Sequence, residues 1–470
     1  MRPVVSIAPE MSSLSPAAAR EGRRSLPPWA RLLLVFNLIY ILSYVDRQLL
    51  SLVVGPVKAS LNLSDVQIGF LQGFGFSMVL AASALLTARR VDTGNRVRLI
   101  GLAVIAWCVM TIMCGLAQSF TMLLLARTGL AVAEAVVPMA VLSILSDVAP
   151  RSTLPRAAAL FMTSPYLGSG LALLFGGALL ALMAPYEGVV LPVIGVFEPW
   201  RGLFIIIGLP GILLGLLVLF LMKEPARPKG GAIAASQVSV WPFLRKNALF
   251  LFTMMSFYAF LNSLAMSIYA WTPAYMIRVH GMDAASVGFS VGPMIALSGV
   301  SGCILGTYMM SCKTPERALS HVVRQSMRLT VFATIPLLLM PIAPTPWLAV
   351  LLFAIGLFLN AAVMSSTLTP IQLFAPPELR GRATAICSLY TSAMGGMGPL
   401  AVGALADFVF PTPTGIGYAM AVSFGAALLI AWIVGPISVR WTSRMDDMRI
   451  AAAAERVSDE PRKPVRLQLG

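Results

Sequence analysis

Four charged side chains lie inside apolar segments of this sequence, where a charge requires a physical reason. Asp46 and Arg47 are adjacent in the first long apolar segment, and Arg127 and Glu134 lie in the fourth. A charged side chain near the centre of a bilayer costs about 2.5–3.5 kcal/mol on insertion scales, so it usually faces a partner or a hydrated cavity. Two acids and two bases in such surroundings could pair with one another, bind an anion or exchange protons.

The two pairs of charges are predicted to lie at similar depth in neighbouring helices. At the rise of an α-helix, Asp46 and Arg47 lie about 22 Å along the first helix, and Glu134 lies about 21 Å along the fourth, which runs the opposite way. Arg127 and Glu134 are close to two helical turns apart and therefore share a face. We predict Asp46 and Glu134 as proton-coupling acids, with Arg47 or Arg127 binding an anionic substrate or releasing an acid when substrate arrives.

A static ion-pair network that fixes helix packing is the competing interpretation of these charges. Buried ion pairs are weak evidence for stability, because desolvation offsets much of their attraction. The weak contribution of buried ion pairs to stability therefore favours a functional role for these four charges.

Other polar side chains in the apolar segments are candidates for the lining of a substrate cavity, because buried amides and phenols need hydrogen-bond partners. The predicted substrate-binding residues besides the arginines are Tyr44, Tyr166, Asn262, Asn360 and Tyr390. The cysteines and histidines show no metal-ligand spacing, and no nucleophile is arranged for catalysis. We therefore predict no metal, no cofactor and no enzymatic activity.

The loop after the second apolar segment contains Asp92, Gly94 and Arg96. Gly94 permits a tight turn, Asp92 lies near a helix end, and the arginines of this loop can pair with acids at neighbouring helix ends. We predict a gating latch between helices. A basic membrane anchor is the alternative.

The elements that position these residues are predicted to be membrane-spanning helices. The 470 residues are 58% hydrophobic and 11% charged, whereas about a quarter of residues are charged in soluble domains. About 20 helical residues cross the hydrocarbon core of a bilayer, and the alternating pattern of a membrane barrel is absent. The apolar stretches predict twelve spans: 32–57, 66–88, 98–117, 120–145, 156–184, 200–222, 247–277, 284–310, 322–343, 346–372, 383–408 and 417–438.

The net charge of +15 is distributed as expected for a membrane protein rather than for one that binds nucleic acid. Of the 34 Lys and Arg residues, 29 fall in the two tails or in alternate loops. This bias predicts that both termini lie in the cytoplasm. Arg47 and Arg127 are inside helices, and Lys58, Arg201 and Arg278 fall on the opposite side.

The chain is predicted to consist of two related halves. Pro150, Arg156, Ala157 and Gly170 recur as Pro376, Arg382, Ala383 and Gly396 at one offset of 226 residues, which also places Glu134 on Asn360. Several matches at one offset suggest a duplicated six-helix unit, which is typical of a large class of secondary transporters. The predicted organisation is a disordered cytoplasmic tail (1–31), an N-terminal bundle (32–222), a cytoplasmic linker (223–246), a C-terminal bundle (247–440) and a cytoplasmic tail (441–470).

These features together resemble the major facilitator superfamily. Residues 88–98 are similar to its loop motif, with Asp92, Gly94 and Arg96 in place, Ala88 where the motif usually has Gly, and Thr93 where it usually has a base. More narrowly, five stretches resemble the bacterial spinster-like branch: 44–48, 64–73, 166–170, 278–281 and 379–383.

The resemblance implies an alternating-access transporter in the bacterial inner membrane, acting as a monomer. It implies a proton-coupled carrier of an amphipathic organic anion, such as a lysolipid or a sphingolipid-like molecule, and Asp46, Arg47 and Glu134 match charged sites implicated in that family. A carrier of small organic acids and an exporter of hydrophobic drugs are the alternatives. A non-transporting receptor is a third alternative. A receptor could have lost the ionisable cluster, whereas this chain retains it.

Overall fold

The computed structural model describes residues 27–150, 152–191, 195–227, 239–311 and 314–459. Within these ranges, twelve helical spans are long and apolar enough to cross a membrane. The predicted all-α membrane fold is confirmed, and a short antiparallel pair of strands, Val190–Leu191 and Gly195–Val196, is the exception among the described residues. Spans 1 to 12 are Trp29–Leu52, Asp65–Thr93, Arg96–Gly115, Phe120–Val148, Arg156–Tyr186, Pro199–Leu221, Ala248–His280, Ala284–Met310, Ala318–Ile342, Pro346–Phe374, Arg380–Phe408 and Gly415–Ala451.

The described residues form eighteen α-helices, several of which join end to end within one span. The helices are α1 Pro28–Leu52, α2 Val54–Leu61, α3 Asp65–Gln72, α4 Phe74–Thr93, α5 Arg96–Gly115, α6 Phe120–Glu134, α7 Val136–Val148, α8 Leu154–Phe161, α9 Ser164–Met183, α10 Pro199–Leu221, α11 Trp241–Lys246, α12 Ala248–His280, α13 Ala284–Met310, α14 Ala318–Leu339, α15 Pro346–Met364, α16 Thr369–Phe374, α17 Arg380–Phe408 and α18 Gly415–Asp459.

Four spans are each broken into two α-helices, and two of these breaks lie beside the buried charges and the contact between the bundles. Span 4 is interrupted directly after Glu134, where α6 ends and α7 begins at Val136. Span 2 is interrupted at Gly73, between α3 and α4. Irregular backbone at membrane depth is tolerated where it is buried in protein or lines a cavity, and both breaks lie inside the protein.

The ends of the helical region differ from the predicted tails. Helix α1 begins at Pro28, inside the range predicted as a tail, and α18 continues to Asp459. The extension of α18 is held by Asp446, which is buried and accepts a hydrogen bond at 2.8 Å from the backbone N–H of Ser320. The predicted tails and linker otherwise lie partly outside the described residues, at 1–26, 228–238 and 460–470.

Spans 1–6 and 7–12 form two bundles, and most of the close contacts between them lie in one half of the molecule. We call the end that carries the linker between spans 6 and 7 the linker side, and the opposite end the far side. A Cβ atom on Gly73 of span 2 would lie 2.3 Å from the carbonyl oxygen of Gly396 in span 11, and one on Gly177 of span 5 would lie 2.6 Å from that of Ala284 in span 8. Because these close contacts belong to the far half, the bundles separate towards the linker side.

Candidate functional site

A cavity of about 1290 Å³ lies between the two bundles and opens towards the linker side. Its lining comes from spans 1, 2, 4, 5, 7, 8 and 10, and it is mostly apolar. Arg47 and Arg156 are the charged residues of this lining among the described residues, which contribute no carboxylate to it. An excess of positive charge in an apolar cavity suits a ligand that is both anionic and partly apolar.

Arg47 connects the cavity to the buried charges of span 4. Its Nη2 atom lies 2.5 Å from Oε2 of Glu134, whose side chain is 1% exposed, whereas that of Arg47 is 21% exposed. The guanidinium carbon also lies 4.5 Å from the ring centroid of Tyr44 and 4.8 Å from that of Phe76. Aromatic faces stabilise a partly desolvated cation, so Arg47 is positioned to exchange Glu134 for another anion on its cavity side.

Asp46 and Arg127 lie behind this pair, away from the cavity. Neither carboxylate oxygen of Asp46 and none of the three guanidinium nitrogens of Arg127 has a hydrogen-bond partner among the described residues. The guanidinium carbon of Arg127 lies 5.1 Å from the ring centroid of Phe76. The four charges therefore form one cluster containing one ion pair, rather than the mutual network that the sequence suggested as a possibility.

The directions of the side chains explain this arrangement. Consecutive residues of a helix point about 100° apart, so Asp46 and Arg47 point in different directions. Arg47 faces the cavity, and Asp46 points into the N-terminal bundle, where it is fully buried.

Four of the predicted polar residues line the cavity: Tyr44, Tyr166, Asn262 and Asn360. The Nδ2 atom of Asn262 donates to the carbonyl of Thr391 at 3.0 Å, which orients the amide from within the C-terminal bundle. The structure does not bring Tyr390 to the cavity. Its hydroxyl is hydrogen bonded to Ser256 Oγ at 2.7 Å, and that contact holds the ring between spans 7 and 11.

Comparison with known proteins places this architecture in a family. The family model of the Major Facilitator Superfamily matches residues 36–399, which is most of the chain. The chain belongs to this superfamily. A protein named as an MFS-type efflux pump from Mycolicibacterium smegmatis is 28% identical over 408 residues, covering 85% of this chain and 89% of that protein. A protein named "Probable L-galactonate transporter" from Escherichia coli is 25% identical over 348 residues, covering 70% and 72%.

Solved structures agree with the predicted branch. Crystal structures of a bacterial homologue of the human lysosomal transporter Spinster, in inward-facing unoccupied and occupied states, match this chain with TM-scores of 0.72. They are 24% and 25% identical in sequence, and they cover 90% and 89% of this chain and 99% and 98% of their own. The predicted membership of the superfamily is confirmed, the spinster-like branch is supported, and the protein is a membrane transporter rather than an enzyme.

The predicted latch of this superfamily member lies on the linker side of the N-terminal bundle. Arg96 is 1% exposed, and it contacts Asp147 at the end of span 4 at 2.5 Å and Glu224 after span 6 at 2.7 Å. Arg227 donates to the carbonyls of Asp92 and Gly94. These contacts stay within one bundle, so the loop joins the ends of spans 2, 3, 4 and 6 in this state.

Arg96→Gln is expected to lower the free energy of unfolding by about 3 kcal/mol or more, because removing one partner of a buried ion pair leaves uncompensated charge. The measurement is the unfolding midpoint of the purified protein in detergent. Arg98→Gln is the matched control, since Arg98 is exposed in the same first turn of α5 and its side chain has no partner among the described residues. Equal unfolding midpoints for both variants would contradict a stabilising role for the ion pairs of Arg96.

The far side of the cavity is closed by a charge cluster that sequence reasoning did not identify. Asp65, at the start of span 2, accepts two hydrogen bonds of 2.9 Å from Arg278 at the end of span 7, and Lys58 lies 2.7 Å away. Asp407, at the end of span 11, accepts hydrogen bonds from the backbone N–H groups of Asp65 and Val66. We call Lys58, Asp65, Arg278 and Asp407 the far-side gate, because four of its hydrogen bonds join the two bundles.

A sequence signal for this gate existed in the charge distribution. Lys58, Arg201 and Arg278 are the bases that depart from the bias towards the linker side, and the structure pairs each with an acid. Lys58 and Arg278 pair with Asp65, and Arg201 pairs with Glu198. A base that opposes the positive-inside bias can thus indicate an ion pair.

Proposed function

We propose that this protein is a proton-coupled transporter of an amphipathic organic anion, located in a bacterial inner membrane with both termini in the cytoplasm. On this topology the linker side is cytoplasmic, and the cavity is open to the cytoplasm while the far-side gate is closed. The observation that carries the proposal is the position of Arg47, whose guanidinium faces the cavity while it pairs with a buried acid, Glu134, at 2.5 Å.

The proposed coupling follows from competition for Arg47. An anion that binds Arg47 from the cavity weakens its contact with Glu134. An ionised carboxylate without a partner is costly at this depth, so Glu134 takes up a proton as the substrate binds. Asp46, buried and without a hydrogen-bond partner among the described residues, is proposed as a second proton-coupling acid in the same bundle.

The shape and charge of the cavity favour an amphipathic anion over the other candidates. Ile304 and Tyr308 of span 8 line the cavity and are 64% and 80% exposed, so apolar wall continues to the surface beside span 5. Such a wall can accommodate an alkyl chain while the anionic group contacts Arg47. A lipophilic cation would meet Arg47 and Arg156, and the described lining contains no acid to compensate them.

A sugar acid is the second candidate, because a relative is named for L-galactonate transport. The two candidates share the anionic group and differ in the apolar chain.

The test is an uptake screen in proteoliposomes with an imposed pH gradient. Substrates are a single-chain phospholipid, a sugar acid and a lipophilic cationic dye. We expect gradient-dependent transport of the single-chain phospholipid. Transport of the sugar acid alone would establish the second candidate, and transport of the dye alone would reject an anionic substrate.

Alternating access predicts that weakening the far-side gate shifts the protein towards an outward-open state. Asp65→Asn removes the carboxylate shared by Arg278 and Lys58, and hydrogen bonds to charged groups contribute about 1.5–3 kcal/mol, so the ratio of states should change about tenfold or more. The measurement is the distance between spin labels introduced at Ala59 and Thr412, exposed on the far side of the two bundles, in a cysteine-free background.

Glu198→Gln is the control for this experiment, because its ion pair with Arg201 lies on the far side but within the N-terminal bundle. A longer distance should appear with Asp65→Asn and not with Glu198→Gln. Identical distributions for Asp65→Asn and the wild type would show that these charges do not hold the gate.

A further inference from the structure

Arginines from two neighbouring spans gather on the outer surface of the C-terminal bundle, away from the cavity and the gate. Arg324 and Arg328 belong to span 9, and Arg440 and Arg444 belong to span 12. All four are exposed. The transport cycle described above uses none of them.

Two hydrogen bonds fix how spans 9 and 12 lie against each other. Arg324 Nη2 donates to Ser443 Oγ at 3.2 Å, and Trp432 Nε1 donates to Thr334 Oγ1 at 3.0 Å. The two helices are antiparallel, so the residues between these bonds lie between them in space as well.

Arg328 and Arg440 lie at about the same level in this interval. Arg328 is one turn beyond Arg324, and Arg440 is one turn before Ser443, so both step from the first hydrogen bond towards the second. Arg440 has no hydrogen bond or ion pair among the described residues, and Arg328 contacts only the neutral side chain of Gln325, at 3.4 Å. Two cations thus lie at about one level of the same face, and neither is paired with an acid among the described residues.

The nearest acids of span 12 are engaged elsewhere. Asp446 is buried and accepts from the backbone of Ser320, and Asp447 lies 3.9 Å from Arg317. Both lie beyond Ser443, towards the linker side. Among the described residues, no acid therefore compensates the positive charge of Arg328 and Arg440.

The same face is apolar and exposed one to two turns deeper in the membrane. Phe332 and Ile335 follow Arg328 on span 9, and Ile433 and Ile437 precede Arg440 on span 12. A ligand that fits this face has an anionic head group beside the arginines and an apolar tail that extends deeper into the membrane.

We propose that the face formed by Arg324, Arg328, Arg440 and Arg444 binds an anionic phospholipid of the surrounding bilayer. Its phosphate lies between Arg328 and Arg440, and its acyl chains follow Ile335 and Ile433. Basic sites between transmembrane helices bind anionic head groups by the same electrostatic attraction. The charge of the face selects an anionic lipid over a zwitterionic one.

The test uses the full-length protein in phosphatidylcholine vesicles that contain a minor fraction of photoactivatable phosphatidylglycerol. After illumination, labelled peptides are mapped and quantified. We expect labelling of spans 9 and 12 to fall about fivefold or more in Arg328→Gln/Arg440→Gln, since each arginine near an anionic surface contributes about a fivefold preference. A photoactivatable phosphatidylcholine should label these spans weakly in the wild type and in the variant.

Two variants make the result specific. Arg89→Gln/Arg98→Gln removes two exposed charges from the linker side of the other bundle and should leave the labelling unchanged. Arg328→Lys/Arg440→Lys keeps the charge and should retain most of it, which separates loss of binding from misfolding. Equal labelling by the two lipid probes, or unchanged labelling in the glutamine variant, would overturn the proposal.

Discussion

Glu134→Gln is expected to lower substrate accumulation driven by a pH gradient strongly, while exchange of substrate across the membrane continues. The amide keeps the shape of the side chain and can accept a hydrogen bond from Arg47, but it cannot bind a proton. Coupling between two ligands is typically about 5–150-fold in affinity, so gradient-driven uptake should fall by about fivefold or more. The measurement compares uptake with and without the gradient, and counterflow without it, in proteoliposomes.

Asp46→Asn tests the second acid in the same assay, and Glu187→Gln is the control. Glu187 is exposed on the far side of the N-terminal bundle, outside the charge cluster. If Asp46 also carries a transported proton, its variant should lose gradient-driven uptake and keep counterflow. Wild-type pH dependence in both Glu134→Gln and Asp46→Asn, for a confirmed substrate, would contradict the assigned coupling.

Arg47→Gln is expected to have two separable effects, one on stability and one on substrate affinity. It leaves the Glu134 carboxylate, 1% exposed, without its partner, and breaking a buried ion pair in this way costs about 3–5 kcal/mol. It also removes the cation proposed to bind the anionic group, whose charge-assisted hydrogen bonds contribute about 1.5–3 kcal/mol, or about 10- to 150-fold in affinity. The measurements are the unfolding midpoint and equilibrium binding of the transported anion.

The double variant Arg47→Gln/Glu134→Gln distinguishes these effects. It removes both charges, so the unfolding midpoint should recover most of its wild-type value, while substrate affinity stays low. Arg156→Gln is the control for charge alone, because Arg156 lines the mouth of the cavity and is exposed. Substrate affinity should fall less in that variant than in Arg47→Gln. Wild-type substrate affinity in Arg47→Gln would show that Arg47 does not bind the substrate.

The choice between the two arginines shows where sequence reasoning stopped. Arg47 and Arg127 are both arginines at membrane depth, and the sequence left open which one meets the substrate. The structure places Arg47 on the cavity wall and Arg127 inside the N-terminal bundle, with its guanidinium carbon 5.1 Å from the ring centroid of Phe76. That outcome depends on the rotation of each helix about its axis, which is decided by packing against neighbouring helices.

Helix packing also separates residues that look alike in the sequence. Asn262 and Tyr390 are both polar residues of apolar helices, but Asn262 lines the cavity and Tyr390 is hydrogen bonded to Ser256. The far-side gate was missed because Asp65 and Arg278 are more than two hundred residues apart, and their contact exists only when the bundles close on that side.

By itself the sequence determined the all-helical membrane fold, the twelve spans, the membership of the superfamily and the identity of the charged residues at membrane depth. These properties follow from the length, apolar character and local motifs of each segment, so they can be read one helix at a time. The tertiary structure alone decided that Arg47 pairs with Glu134. It also decided that the cavity opens on the linker side and that the contacts of Asp65 close the far side. Each of these depends on how helices from distant parts of the chain rotate and pack together.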